Sequence, residues 1–332
     1  MMHQRPRISD VARLAGVSTA TVSRALSNPA LVSEETRAAV DQAVQATGYR
    51  INHAARNLRH RRTGGIVALV PGLANPFFSQ ILSGIASVLA PAGYNLLVAD
   101  TRSAGADTLL SYAEPSRADG LIVLDGTLPA AGLTRMPVVL ACEWVPGLMA
   151  PRVKIDNREA AAMAVNHLAD LGHRRIGHVA GPPGNVLTEA RQAGWQEACI
   201  ARGLTPDPAL LYPGDFGLDS GQRAARLWLD QPPATRPTAV FLASDEMACG
   251  FIGEVVRHGI RVPQDLSVVG FDDIELVAHI APPLTTIRQP RNQLGRIAAE
   301  RLLARLEGRV DDTDTVLPVE LVLRGSTAPP RG

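Results

Sequence analysis

Four aspartates stand just after short apolar runs. Asp100 follows Leu97-Val98-Ala99, Asp156 follows Lys154-Ile155, Asp245 follows Phe241-Leu242-Ala243-Ser244, and Asp272 follows Val269-Gly270-Phe271. Such runs read as strands buried on both faces of a parallel sheet. Open α/β sheets take their ligands beyond the carboxyl ends of the strands. Carboxylates gathered there can accept hydrogen bonds from hydroxyl groups. Any one such aspartate also reads as a helix cap, Asp100 and Asp245 most directly. Phe77 and Phe78 open a helix beside a strand end; one packs inside, which turns Phe77 toward a cleft. Flat aromatic faces next to carboxylates suit a sugar or a nucleoside.

A second chemistry sits near the amino terminus. In Gly16-Val17-Ser18-Thr19-Ala20-Thr21-Val22-Ser23-Arg24-Ala25-Leu26, Val22 and Leu26 are four apart and face inward over Ala25. The opposite face holds Thr19, Ala20, Ser23 and Arg24. It is short and polar with one long cation, as a helix entering a DNA major groove requires. Thr19, Ala20 and Arg24 are the expected base contacts. Ser18, Thr21 and Asn28 are expected to serve phosphates or caps.

These residues need a frame. Gly16 permits a tight turn and Ser18 can cap the helix after it. A preceding helix is expected over 10–15, capped by Ser9 and burying Val11, Leu14 and Ala15. A following one starts at Ser33 with Glu34 and Glu35 in its first turn, buries Val40 and Val44, and stops at Gly48. Charge supports nucleic acid over a ligand-free helical subdomain. Residues 1–62 hold ten arginines and four acidic residues, whereas the remainder holds 23 basic and 28 acidic ones. A basic head on an acidic body points to a polyanion at one end only.

From Gly64 the pattern alternates strand and helix, with expected strands at 66–70, 95–99, 120–124, 138–141, 153–155, 176–180, 239–243 and 267–271. Asn75-Pro76 caps and opens a helix with a stripe of Phe78, Ile81, Leu82, Ile85, Val88 and Leu89. Another helix covers 158–171 and ends at Gly172. About ten strands exceed one modest sheet, so two doubly wound parallel-sheet lobes are expected.

Several classes fall away. No apolar run is long enough to span a membrane, and the first residues are no signal peptide. Cys142, Cys199 and Cys249 are odd in number and far apart, which suggests reduced thiols in the cytoplasm. There is no Gly-x-x-x-x-Gly-Lys loop and no Gly-x-Ser-x-Gly elbow. His173 and His178 lack metal partners, and Gly181-Pro182-Pro183-Gly184 has the wrong spacing for a dinucleotide site. No enzyme activity, cofactor or metal is expected. The alternatives are a DNA-binding head fused to a sugar-processing enzyme such as a kinase, or a regulator whose signal is a partner protein.

The string Ile8-Ser9-Asp10-Val11-Ala12-Arg13-Leu14-Ala15-Gly16-Val17-Ser18, then Thr21-Val22-Ser23-Arg24, and the late Arg324-Gly325-Ser326-Thr327 resemble the lactose/purine repressor family of bacterial transcriptional regulators. Glu143-Trp144-Val145-Pro146, Lys154-Ile155-Asp156-Asn157, Gly214-Asp215-Phe216 and the run 283–291 look most like its nucleoside-responsive (cytidine) branch. The resemblance implies a helix-turn-helix domain over 1–50 and a hinge over 51–63 that folds on DNA. In that hinge Asn52 could cap a short helix carrying Ala55 and Arg56, and Leu58 matches the residue that wedges into the minor groove. It implies a body over 64–326 of the periplasmic-binding-protein type and a tail over 327–332. Chain crossings are expected near Asn166, Ile287 and Thr313, which gives an N-lobe of about 64–165 and 288–312 and a C-lobe of about 166–286 and 313–326. Asp272 and Arg191 match the family's effector-binding pair. Glu143, Trp144 and Phe216 fall near the pocket, as would Asp156 and Asp245. Asn185 and Leu187 depart from the purine-binding branch and count against a purine base. The implied partners are double-stranded operator DNA, a nucleoside or sugar effector and a second copy of the chain; a dimer is expected because the chain ends soon after Thr327.

Overall fold

The computed structural model describes residues 6–49, 62–103, 105–309 and 311–331. The expected hinge contacts Asn52, Ala55, Arg56 and Leu58 lie outside these residues. The chain divides into two compact units, Met1–Arg62 and Thr63–Gly332.

The first unit holds α1 (Ile8–Leu14), α2 (Thr19–Ser27) and α3 (Glu34–Thr47). Gly16 makes the turn between α1 and α2 at φ 68°. Ser18 Oγ accepts the Thr21 N–H at 3.0 Å, a cap of the kind that stabilises a helix by about 1 kcal/mol. Ser33 does the same for α3 through Thr36 at 3.3 Å, and Gly48 ends α3 at φ 65°. Val11, Ala12, Val22, Ala25, Val40 and Ala43 form the core. Two expectations fail in α1. Ser9 is no cap: the helix starts earlier, where the Asp10 carboxylate accepts the Arg7 N–H at 2.9 Å. That start sets the buried stripe at 8, 11, 12 and 15. Leu14 falls off it and is 59% exposed, and Ala12 is buried instead.

The second unit holds twelve strands in two six-stranded sheets among the described residues. They are β1 (Gly65–Val70), β2 (Asn95–Asp100), β3 (Gly120–Val123), β4 (Val138–Ala141), β5 (Arg152–Ile155), β6 (Ile176–Val179), β7 (Leu211–Tyr212), β8 (Ala239–Leu242), β9 (Ser267–Asp272), β10 (Thr285–Arg288), β11 (Thr315–Leu317) and β12 (Glu320–Val322). The helices are α4 (Phe77–Leu89), α5 (Ala106–Tyr112), α6 (Asn157–Asp170), α7 (Val186–Ala201), α8 (Leu218–Asp230), α9 (Asp245–Arg257) and α10 (Arg291–Leu306). The first sheet runs β11-β5-β4-β3-β1-β2 and the second β12-β10-β9-β8-β6-β7. Every pairing is parallel except β10 with β12. In β1 the alternate residues Ile66, Ala68 and Val70 join one core cluster and Val67 and Leu69 another. Both faces of the strand are therefore covered, as the unbroken apolar run requires.

The sheets correct two crossing points. α6 packs on α7 and on strands of the second sheet, so the first crossing falls at Asp156 between β5 and α6, not near Asn166. β11 pairs with β5 in the first sheet, so the last crossing lies between Leu317 and Glu320, not near Thr313. The remaining crossing joins β10 to α10 through Gln289 and Pro290. A three-residue strand on a sheet edge, exposed at Val316, carries too little apolar pattern to be assigned to a lobe from sequence.

Candidate functional site

Between the lobes lies a cavity of about 270 Å³. The first lobe contributes Phe77 and Phe78 from the start of α4, where Asn75 Oδ1 holds the Phe77 N–H at 2.8 Å. Both rings are nearly buried, packed edge to face at 5.1 Å. Phe77 lines the cavity, and so does Phe78, the ring that the sequence also allowed to pack inside. The same lobe adds Asp125, Thr127, Cys142 and Glu143 from the loops after β3 and β4. The second lobe adds Asn185, Leu187, Arg191, Phe216, Ser244 and Asp272.

Arg191 is the buried cation of this wall. Its Nε donates to Asn157 Oδ1 at 2.9 Å and its Nη1 to the Ala243 carbonyl. The guanidinium carbon lies 3.7 Å from the Phe271 ring centroid and 5.6 Å from that of Phe216. Asp272 ends β9 in a left-handed backbone at φ 121°, a conformation costing on the order of 1–3 kcal/mol in a non-glycine residue. Its Oδ1 accepts from Gln289 Nε2 at 2.7 Å, so the crossing segment steers it. Burial pushes its carboxyl up to about 7, against the opposing pull of Arg191. Glu143 Oε2 accepts the Gly126 N–H at 2.7 Å and Asn185 Nδ2 at 3.0 Å. The second of these bonds joins the two lobes across the cleft. Burial raises the Glu143 carboxyl as well.

Three expected site residues lie elsewhere. Asp156 is exposed and caps α6, its Oδ1 accepting the N–H groups of Arg158 and Glu159 at 3.0 Å. Trp144 does not line the cavity and lies beneath two cations, with Lys154 Nζ 5.3 Å and the Arg152 guanidinium 5.8 Å from its ring. Asp245 is fully buried behind the wall. It accepts the Ile274 N–H at 2.9 Å and the Thr286 hydroxyl at 2.6 Å, and so holds the loop after β9 rather than a ligand. Asp125 was missed, although it follows the apolar run 120–124 and the rule that picked out Asp272 applies to it equally. Its oxygens accept from the Thr101 and Thr127 hydroxyls.

The raised carboxyls make stability depend on pH. An aspartate in the unfolded chain titrates at about 3.9, so between there and about 7 the folded protein keeps a proton at Asp272 that the unfolded chain has released. That contribution is full below the interval and lost as pH rises through it. The melting temperature of the unliganded protein is therefore expected to fall as pH rises across the interval, and to fall less in Asp272→Asn. Equal slopes in the two proteins would contradict this.

In the first unit, Thr19, Ala20, Arg24, Ser18 and Asn28 are exposed, while Thr21 and Ser23 are half-buried. Ser18 and Thr21 are bonded to each other at 2.9 Å. Asn28 closes the end of α2, its N–H donating to the Arg24 carbonyl at 2.8 Å. Among the described residues, no helix is long and apolar enough to cross a membrane, and no group of three or more histidine, cysteine or acidic side chains is placed to hold a metal ion.

Residues 7–52 match the family described as "Bacterial regulatory proteins, lacI family", and residues 165–327 match "Periplasmic binding protein-like domain". The HTH-type transcriptional repressor CytR of Escherichia coli (strain K12) is 40% identical, over 96% of this chain and 96% of that protein. The HTH-type transcriptional repressor PurR of Aliivibrio fischeri (strain ATCC 700601 / ES114) is 35% identical, over 91% of this chain and 92% of that protein. The crystal structure of the lac repressor dimer bound to operator and the anti-inducer ONPF superposes with a TM-score of 0.85 at 30% identity, covering 98% of this chain and 100% of that one. With an exposed polar helix face in the first unit and a lined cleft between the two lobes of the second, the chain belongs to the lacI family of bacterial regulatory proteins, on its CytR-like branch.

Proposed function

We infer that this chain represses transcription in the cytoplasm as a homodimer on a two-fold symmetric operator, and that a nucleoside or free sugar held between the lobes sets its grip on DNA. The observation that carries the reading is the interlobe cavity of about 270 Å³, which suits one small molecule. Arg191 has Nε and Nη1 engaged by protein, which leaves Nη2 for a ligand oxygen. Asp272 and Glu143 each have one carboxyl oxygen already bonded and offer the other to ligand hydroxyls or ring N–H groups. Phe77, Phe78 and Phe216 supply apolar faces. A ligand that touches both lobes favours one arrangement of them. Effector and operator then alter each other's affinity reciprocally, typically by ~1–3 kcal/mol.

The test is a thermal-shift screen over nucleosides, free sugars and sugar phosphates, followed by operator titration with and without each hit. Binding raises the apparent stability by mass action. A hit that shifts the melting temperature and leaves operator affinity unchanged would break the link between cleft and DNA.

On the DNA side the reading assigns base contacts to Thr19, Ala20 and Arg24 and backbone contacts to Ser18, Thr21 and Asn28. Asn52, Ala55, Arg56 and Leu58 are assigned to a hinge that orders on the duplex. Arg24→Ala is expected to lose ~1–3 kcal/mol of discrimination at one guanine in each half-site. Binding to a site changed at that base pair should then match binding to the original site. Competition titrations with the two duplexes measure it; a uniform loss over both would make Arg24 a phosphate contact.

A further inference from the structure

We propose that Gly181 sets the depth of the cleft, and with it the requirement for a flat-faced ligand, by allowing the Phe216 ring to lie back against the wall. The proposal rests on reading the cleft as the effector site. Gly181 follows β6 and is itself buried. A Cβ built on it would meet Phe216 Cζ at 2.2 Å, Phe216 Cε1 at 2.3 Å and Thr188 Oγ1 at 2.4 Å. The ring therefore occupies the space that any side chain at 181 would need. Beside it, the Thr188 hydroxyl is buried and has no hydrogen-bond partner.

Phe216 cannot yield by moving its backbone. It stands at φ 69°, and its carbonyl accepts the Ser244 hydroxyl at 2.9 Å. Asp215 Oδ1 reaches across it to hold the Gly217 N–H at 2.9 Å, and the Asp215 N–H donates to Ser220 Oγ at 3.1 Å. Just before it, a Cβ on Gly214 would stand 2.2 Å from the Ala180 carbonyl oxygen, so that stretch is pressed onto the strand end. With the backbone pinned, a methyl group at 181 leaves the ring one way out, by side-chain rotation toward the cavity. There it would take room from a cavity of about 270 Å³ and lose the orientation in which a planar ligand stacks on it. Gly181 is thus a positioning residue that acts through Phe216.

The test is a double-mutant cycle on the full chain with Gly181→Ala, Phe216→Leu and the pair, titrated calorimetrically with cytidine and adenosine as probes. Aromatic ¹³C–¹H spectra of phenylalanine-labelled protein follow the Phe216 ring without ligand, the signal being assigned by its loss in Phe216→Leu. Stacking of a base on an aromatic ring is worth enough that Gly181→Ala should weaken nucleoside binding roughly tenfold or more. It should also shift the Phe216 signals, and the penalty should vanish in the Phe216→Leu background. A penalty that persists there, or a ring signal unmoved by Gly181→Ala, overturns the proposal. If the wild type binds neither nucleoside, the nucleoside arm of the effector class above loses its support, the free-sugar arm stands, and the ring spectra alone decide the role of Gly181.

Discussion

At a pH above the interval in which Asp272 keeps its proton, Asp272→Asn is expected to lower effector affinity by roughly ten- to a hundredfold, since a hydrogen bond to a charged group contributes ~1.5–3 kcal/mol, while operator binding without effector persists. The substitution keeps the size of the side chain, and the amide oxygen can still accept from Gln289. It removes an acceptor from the face that points into the cleft. Arg191→Ala should cost at least as much but for mixed reasons. It strips the partners from Asn157 and the Ala243 carbonyl, and it leaves the buried Asp272 and Glu143 without their cation. Asp272→Asn is therefore the cleaner probe. Effector titration by calorimetry and operator titration by fluorescence anisotropy separate the two activities. Unchanged effector affinity would remove Asp272 from the binding wall.

The second large effect concerns two glycines three residues apart in α9, whose replacements are expected to act in opposite directions. A Cβ on Gly250 would stand 2.0 Å from the Leu218 carbonyl oxygen, whereas one on Gly253 meets nothing within 4 Å. Alanine in a helix interior is intrinsically better than glycine by about 1 kcal/mol. At Gly253 that gain stands alone, so Gly253→Ala should stabilise the chain. At Gly250 the opposing group is backbone, which no side-chain rotation can clear. α8 and α9 must separate, and overpacking of this kind costs ~1–3 kcal/mol or more, which outweighs the propensity gain. Denaturant midpoints for the two variants give the signs directly; a stabilised Gly250→Ala would mean that the helices part freely.

The same device recurs. A Cβ on Gly221 would stand 2.0 Å from the Met247 carbonyl oxygen across the α8–α9 pair, one on Gly295 of α10 2.0 Å from the Ile81 carbonyl oxygen of α4, and one on Gly194 of α7 2.2 Å from the Arg158 carbonyl oxygen of α6. Within the sequence these glycines look like interruptions of helical stripes. Only the partner helix shows why a side chain is excluded there.

What the sequence made legible was whatever has a local period or a local cap. Helices α2 and α3 of the head, the long buried strands and the opening of α4 at Asn75-Pro76 follow from spacing and capping alone, whereas α1 starts earlier than its cap signal and turns Leu14 outward. The strands β7, β11 and β12 do not, because two or three residues cannot establish a period, and β10, Thr285-Thr286-Ile287-Arg288, carries no apolar run to mark it. The site was legible where a carboxylate follows a strand, but that rule cannot tell a ligand-facing group from a cap or a loop tie. Asp272, Asp156 and Asp245 share one sequence context and take three different roles, set by neighbours distant in the chain. Trp144 had the right residue type in the right loop, yet its ring lies under Arg152 and Lys154 of β5 and does not line the cavity.

The late return of β11 to the first sheet bears on how the molecule is made. Neither lobe is a continuous stretch of chain: the first lacks an edge strand until Leu317 has left the ribosome, and the second lacks one until Val322. Folding one lobe at a time during synthesis would therefore leave each lobe short of an edge strand. Both sheets gain their last strand within the short stretch Thr315–Val322, and a nascent chain stalled before β11 exposes two unfinished edges at once.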